Sequence, residues 1–173
     1  MTTRHFFSRL LLVAFLACAS VAAAEPVLHL TGESARRTFL VKVYDISHYA
    51  EPPLGDDVFA HAGLRRVEMV FALSVGPERL KTEIAKALRD RATPEEWERM
   101  QPSLRAFETP ITAGIGKSDR FVLDWFADGT LVSRFQGREL SRITDDAFAA
   151  AMWGLWLGER SLVNRADLLR EWR

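Results

Sequence analysis

Alternating apolar and polar residues predict a series of β-strands, of which the longest covers Arg36 to Glu51. This stretch is rich in β-branched and aromatic residues, as strands usually are. Successive residues of a strand point to opposite sides of a sheet, so Arg36, Leu40, Lys42 and Tyr44 should share one face. A face with cations, a phenol and a leucine suits either the lining of a ligand cleft or a half-solvated sheet surface.

Shorter segments with the same alternation predict the other strands of the sheet. They cover residues 27–31, 66–74, 120–126, 130–136 and 139–143. Gly32-Glu33-Ser34 predicts a turn between the first strand and the long one, and Asp128-Gly129 predicts a two-residue hairpin.

Helical periodicity predicts two amphipathic helices in the middle of the chain. The first begins at Pro77 and repeats an aliphatic residue every four positions. The second begins with a capping box formed by Thr93 and Glu96, with Pro94 at its first position. Pro102 should kink or split this second helix, because its ring removes an internal hydrogen bond.

Two further helices are predicted near the end of the chain. Residues 148–157 are apolar on all sides, which predicts a central buried helix, and Gly158 suits its end. A short helix should follow from about residue 164 to residue 171. This order of strands and helices predicts an α+β fold, in which an antiparallel sheet has a helical layer on one face.

The first 24 residues have the three-part pattern of a secretory signal peptide. A basic start with Arg4 and Arg9 precedes a short apolar run, and Ala22-Ala23-Ala24 provides small residues for cleavage. The apolar run is too short to span a bilayer stably. We expect residues 1–24 to be removed on export to the periplasm. Lipid attachment at Cys18 is the alternative, although residues 15–17 match a lipidation box poorly.

Removal of the signal peptide leaves residues 25–173 as one expected domain, without cysteine and with no further transmembrane segment predicted. A protein without disulfides must rely on its hydrophobic core. The signal peptide contains two of the 23 basic residues and none of the 23 acidic ones, which leaves 21 and 23. This balance gives no electrostatic reason to expect binding to nucleic acid or to an anionic membrane. We expect a monomer.

Known motifs for metals, cofactors and nucleophilic catalysis are not recognisable in the sequence. The histidines of the expected domain, His29, His48 and His61, lack the close spacing of a metal site, so no metal and no cofactor is predicted. There is no Gly-x-Ser-x-Gly elbow and no phosphate-binding glycine loop. The residues alone therefore predict an exported α+β domain in which an apolar cleft is conceivable.

Two sets of motifs, one near each end of the domain, occur in the order seen in a known family. The first set is Gly32-x-Ser34-x-Arg36, Phe39, Lys42-Val43-Tyr44 and Tyr49. The second set is Asp146-x-Phe148, Trp156-Leu157-Gly158 and Leu168-Leu169. Together they resemble the bacterial chalcone isomerase-like family over roughly residues 27–169.

The resemblance implies a chalcone isomerase-like fold, with a ligand cleft between the sheet and the helices. Plant enzymes of this superfamily close a chalcone ring, and related plant proteins bind fatty acids without catalysis. In those binders an arginine and a tyrosine hold the carboxylate through charge-assisted hydrogen bonds. Arg36 and Tyr44 are the matching positions, and Tyr49 is a third candidate for ligand binding. The resemblance thus implies a binder of a fatty acid or a similar apolar anion.

Two features of the chain depart from the family pattern. The plant enzyme uses a tyrosine and an asparagine on a helix after the early strands, whereas Tyr44, Tyr49 and Asn164 are the only such residues here. Arg36 and Tyr44 would also be about 26 Å apart in one straight strand, so Arg37 is kept as a substitute for Arg36. Two alternatives remain: an intramolecular lyase with another substrate, and an envelope interaction protein with a vestigial cleft.

Overall fold

A computed structural model describes residues 26–172, which form one antiparallel sheet and four helices. The six strands are adjacent in sequence order: β1 (His29–Thr38), β2 (Val41–Ala50), β3 (Arg65–Phe71), β4 (Arg120–Trp125), β5 (Thr130–Phe135) and β6 (Arg138–Thr144). The helices are α1 (Pro77–Arg89), α2 (Pro94–Glu108), α3 (Asp146–Leu157) and α4 (Arg165–Leu168). The predicted signal peptide, including Cys18, lies outside the described residues.

The prediction of one long strand from Arg36 to Glu51 is wrong. The chain reverses at Phe39 and Leu40, and β1 and β2 form an antiparallel hairpin on either side. Neither residue is a usual turn former, and both are apolar, so the turn resembles the middle of a strand in the sequence. Phe39 has a φ of 54°, in the left-handed region where large side chains are uncommon.

The predicted turn at Gly32 is also wrong, because this glycine lies inside β1. A Cβ atom on Gly32 would be 2.0 Å from the carbonyl oxygen of Asp167, so the glycine allows α4 to approach the strand closely. A register irregularity between Leu30 and Gly32 marks the same place in the β1–β2 ladder. The glycine therefore serves packing between a strand and a helix rather than chain reversal.

The helices cover one side of the sheet, which we call the inner face. It contributes a continuous set of buried residues from β2 to β6: Tyr44, Ile46, His48, Val67, Met69, Phe71, Phe121, Leu123, Trp125, Leu131 and Ile143. Helix α3 has seven buried residues, as its apolar sequence predicts. The α+β architecture with helices on one face is therefore confirmed.

Helix α2 starts as predicted and runs through Pro102 to Glu108. The Thr93 hydroxyl accepts a hydrogen bond from the backbone N–H of Glu96 at 3.2 Å, and the Glu96 carboxylate accepts one from the backbone N–H of Thr93 at 2.8 Å. The helix is not split at Pro102, which lies inside it on an exposed position. Pro102 has no N–H, so one backbone carbonyl of the helix lacks its usual hydrogen-bond donor. Water can donate to that carbonyl instead. Within residues 26–172, no helix is both long and apolar enough to cross a membrane.

Candidate functional site

The hairpin places Arg36 directly opposite Tyr44 on the inner face. Cross-strand neighbours in an antiparallel pair lie about 5 Å apart, so the separation of about 26 Å expected for one straight strand does not apply. The Tyr44 ring is buried and packs against Phe71 with ring centroids 5.5 Å apart. Burial raises the pKa of Tyr44, while a hydrogen bond from Trp156 and the charge of Arg36 act in the opposite direction.

Both side chains have polar partners in α3 and the segment after it. The Trp156 indole N–H donates to the Tyr44 hydroxyl oxygen at 2.9 Å, and this bond is buried. Arg36 donates from Nη1 to the backbone oxygen of Leu162 at 2.9 Å. Within the described part of the chain, the Tyr44 hydroxyl has no acceptor for its own proton and Arg36 has no carboxylate partner. Both groups can therefore donate to a further anionic group.

Tyr49 lies on the opposite side of the sheet from Arg36 and Tyr44. It is an odd number of positions from Tyr44 in the same strand, and its neighbours across the sheet are Leu30 and Arg66. Since alternate residues point to opposite faces, Tyr49 cannot act on a ligand together with Tyr44. The structure thus brings two of the three predicted site residues together.

Arg37 and Lys42 lie nearer the tip of the hairpin. They are opposite each other, one step beyond a register irregularity that follows Arg36. Arg37 is exposed, and the Lys42 ammonium donates to the Asp45 carboxylate at 2.7 Å. Neither side chain lies opposite Tyr44 as Arg36 does. Substitution of Arg37 is therefore a matched control for substitution of Arg36.

A groove of about 940 Å³ runs between α3 and the α1–α2 pair. Small residues of α3 and its C-cap line this groove: Ala147, Ala150, Ala151, Gly154 and Gly158. Leu88, Met100 and Phe148 add larger apolar surface from the three helices. A Cβ atom on Gly154 would have no neighbour within 4 Å, so the groove is open at that point. This volume and lining fit an apolar small molecule.

Arg91, Arg99 and Arg160 line the groove, whereas Arg36 and Tyr44 are not among its lining residues. Arg91 donates to the backbone oxygen of Ala87 at 2.8 Å and holds the backbone oxygen of Arg160 with two nitrogens. Burial lowers the pKa of Arg91, and the positive charges of Arg160 and Arg36 lower it further, against the raising effect of Asp90. We call Arg36, Arg91 and Arg160 the arginine cluster, because the charges of Arg36 and Arg160 both act on Arg91.

Three carboxylates line the groove, those of Glu96, Asp145 and Glu159, and the first two are engaged by hydrogen bonds. Asp90 accepts from Lys86 at 2.7 Å, Glu96 closes the capping box, and Asp145 accepts from the Ser103 hydroxyl and the Phe148 N–H. Sequence reasoning missed Arg91 and Arg160, because each looks like an ordinary charge beside a helix end. In residues 26–172, no group of three or more histidine, cysteine or acidic side chains is placed to hold a metal ion.

The six-stranded antiparallel sheet and its helical layer define the class of this protein as α+β. Residues 15–168 match the family model described as chalcone isomerase-like. The chain belongs to the chalcone isomerase-like family, which confirms the resemblance seen in the sequence.

A solved structure of a fatty-acid binding protein from Arabidopsis thaliana is similar to this chain. The two share a TM-score of 0.66 at 13% sequence identity, over 82% of this chain and 86% of the plant protein. At this low sequence identity, the structural similarity shows that the two proteins share a fold. No curated protein sequence matches the chain significantly.

Proposed function

We propose that this protein binds a fatty acid or a similar apolar anion without catalysing a reaction on it, and that it does so in the periplasm. The observation that carries the proposal is the placement of Arg36 beside Tyr44, in an arginine cluster whose other members, Arg91 and Arg160, line an apolar groove. The binding activity of the plant protein with the same fold is consistent with this proposal. Export is proposed from the signal peptide pattern of residues 1–24.

Each part of such a ligand has a matching part of the protein. The carboxylate would accept hydrogen bonds from Arg36 and from the Tyr44 hydroxyl, with the charges of Arg91 and Arg160 adding to the attraction. The hydrocarbon tail would lie in the groove along Gly154, where burial from water favours it. A ligand with both an apolar tail and a negative head would use the whole site.

Chemistry of the plant isomerase type is not proposed. Helices α1 and α2 contain neither a tyrosine nor an asparagine, the residue types that the plant enzyme uses on its corresponding helix. Tyr44 is the only tyrosine near Arg36, and burial raises its pKa rather than preparing it to ionise near neutrality. Arg36 and Tyr44 are therefore better suited to binding an anion than to transferring a proton.

The proposal predicts that Arg36→Ala weakens fatty acid binding by about tenfold or more, since a charged hydrogen bond contributes roughly 1.5–3 kcal/mol. Tyr44→Phe should weaken it less, because one neutral donor is lost. The measurement is displacement of a fluorescent fatty acid by dodecanoate, with circular dichroism to verify folding.

Arg37→Ala is the matched control, because Arg37 has the same charge one residue away and is exposed. It should bind like the unmodified protein. Weaker binding in Arg37→Ala together with full binding in Arg36→Ala would place the carboxylate elsewhere and contradict the proposed site.

A further inference from the structure

We propose that the tip of the β1–β2 hairpin docks the protein on a bilayer surface that contains anionic lipids. We define the tip as Phe39, Leu40 and Val41, whose exposed fractions are 97%, 94% and 57%. In the described part of the chain, the other exposed large apolar residues are Val27 and Leu30, near the opposite end of β1. Three consecutive apolar side chains held out in water indicate an interaction site.

The backbone conformation at Phe39 supports a use for its side chain. Its φ of 54° is in the left-handed region, which glycine or asparagine occupies with less strain than a phenylalanine. A residue in a strained conformation with a large aromatic ring exposed to water does not stabilise the fold. Such a position is more typical of a site where the side chain contacts something else.

Positive charges lie directly behind the tip. Arg37 and Lys42 are cross-strand partners, and like charges in that arrangement destabilise a strand pair. The Lys42 ammonium bonds the Asp45 carboxylate, but both side chains are well exposed, and such surface pairs contribute little. An anionic group bound between the two cations would relieve their repulsion, and a lipid phosphate has the right charge.

The arrangement fits a bilayer better than a protein partner. At a membrane interface, apolar side chains enter the acyl boundary by about 5–10 Å while basic side chains remain among the headgroups. The tip followed by Arg37 and Lys42 has this order along the hairpin axis. Three side chains on a narrow turn offer much less area than a specific protein interface needs.

Docking would also place the proposed ligand site beside the lipid, a consequence that rests on the proposed function. Arg36 is three residues from Phe39, or about 10 Å along a strand. With the tip inserted, Arg36 would lie near the level of the headgroups, where the carboxylate of a membrane-dissolved fatty acid is found. The protein could then take up or release its ligand at the bilayer.

Flotation of the exported protein with vesicles tests the proposal. We expect binding to vesicles of phosphatidylcholine with phosphatidylglycerol, weaker binding to pure phosphatidylcholine, and loss of affinity as salt rises. The double substitution Phe39→Ser and Leu40→Ser should weaken binding by about tenfold or more, since two apolar side chains no longer enter the bilayer. Both positions are exposed, so folding should be unaffected.

Val27→Ser combined with Leu30→Ser is the matched control, because it removes two exposed apolar side chains away from the tip. It should bind vesicles like the unmodified protein. Absence of vesicle binding by the unmodified protein, or equal binding by the tip variant, would overturn the proposal. So would self-association in sedimentation that the tip substitutions abolish, because the tip would then contact a second copy.

Fatty acid displacement in solution separates this proposal from the proposed function. The tip variant should still bind dodecanoate without vesicles, because its substitutions leave Arg36 and the groove in place. Vesicle binding without dodecanoate binding would contradict the proposed function alone. Dodecanoate binding without vesicle binding would contradict the membrane proposal alone.

Discussion

Arg36 and Tyr44 are eight residues apart in the sequence and opposite each other in the sheet. Their identity as site candidates could be predicted from the sequence motifs, but their proximity could not. The reversal between them uses Phe39 and Leu40, which carry none of the usual turn signals. A turn made from apolar residues becomes understandable once those side chains have a role outside the fold.

His48 is a second residue whose setting the sequence did not reveal. It is fully buried on the inner face, with Nδ1 2.6 Å from the Thr31 hydroxyl and its ring beside Trp153. Burial, together with the positive charges of Arg65 and His61, lowers its pKa from 6.5 to about 3. The ring is therefore neutral in the folded protein at neutral pH.

This setting predicts that the protein becomes less stable as the pH falls below about 6.5. Between the unfolded pKa near 6.5 and the folded pKa of about 3, the unfolded state binds one more proton at His48. The free energy of unfolding should then fall by up to about 1.4 kcal/mol for each pH unit in that range. Urea denaturation at several pH values measures it.

His48→Gln should reduce this slope, whereas His29→Gln, at an exposed histidine, should keep it. His61 adds to the effect, because burial also lowers its pKa. An unchanged slope in His48→Gln would mean that the acid sensitivity arises elsewhere.

Among the elements, α3 joins the core to the proposed site. Its sequence is apolar on every side, and the structure gives each side a different neighbour. Trp153 and Phe148 face the sheet and α2, Trp156 reaches Tyr44, and Gly154 faces the groove. The sequence predicts that this helix is central, but an all-apolar pattern cannot indicate which side is left for a ligand.

Trp156→Ala should destabilise the protein far more than Trp172→Ala. Trp156 is 5% exposed and bonds to the buried Tyr44, so its loss should cost about 3–5 kcal/mol. Trp172 is only partly buried, although it contacts the rings of His48 and His61 and donates to the Gly55 backbone oxygen. Chemical denaturation of both variants measures the difference. Equal losses would show that α3 is not the central element.

Gly154→Ala should stabilise the protein by about 0.5–1 kcal/mol, because alanine is the better helix former and its methyl group meets nothing. Gly154→Leu should fill the groove and weaken dodecanoate binding by about tenfold or more. Thermal unfolding and fatty acid displacement are the two measurements.

Ala106→Leu, on the exposed side of α2 and outside the groove, is the control for the larger side chain. It should bind dodecanoate normally. Undiminished binding in Gly154→Leu would contradict the placement of the tail in this groove.

The features that the sequence predicts well at this scale are local ones. The capping box of Thr93 and Glu96 and the hairpin at Asp128-Gly129 depend on residues close together in the chain, and both are present, although four residues rather than two separate β4 from β5. Gly32 shows the opposite case. A glycine is needed there because the backbone of Asp167, far along the sequence, approaches it closely. Tertiary approaches of this kind leave no signal in the neighbouring residues.

At the scale of the whole molecule, the near-zero net charge hides two local arrangements. One is the arginine cluster of Arg36, Arg91 and Arg160, and the other is the pair of cations, Arg37 and Lys42, behind the hairpin tip. Neither arrangement is visible in the net charge of the chain. Composition alone therefore gives no reason to expect binding to a membrane surface. Arg36 belongs to the first arrangement and is adjacent to Arg37 in the second, so ligand binding and membrane docking would use one end of the molecule.

Mass spectrometry under native conditions tests the central claim most directly. The protein would be purified from its host cells without detergent, and the bound species would be released and identified. The account predicts one fatty acid or similar apolar carboxylate per chain, reduced in Arg36→Ala and retained in Arg37→Ala. A protein that carries no such adduct, and acquires none when dodecanoate is added, would contradict the claim. Equal occupancy in Arg36→Ala would contradict the assigned site.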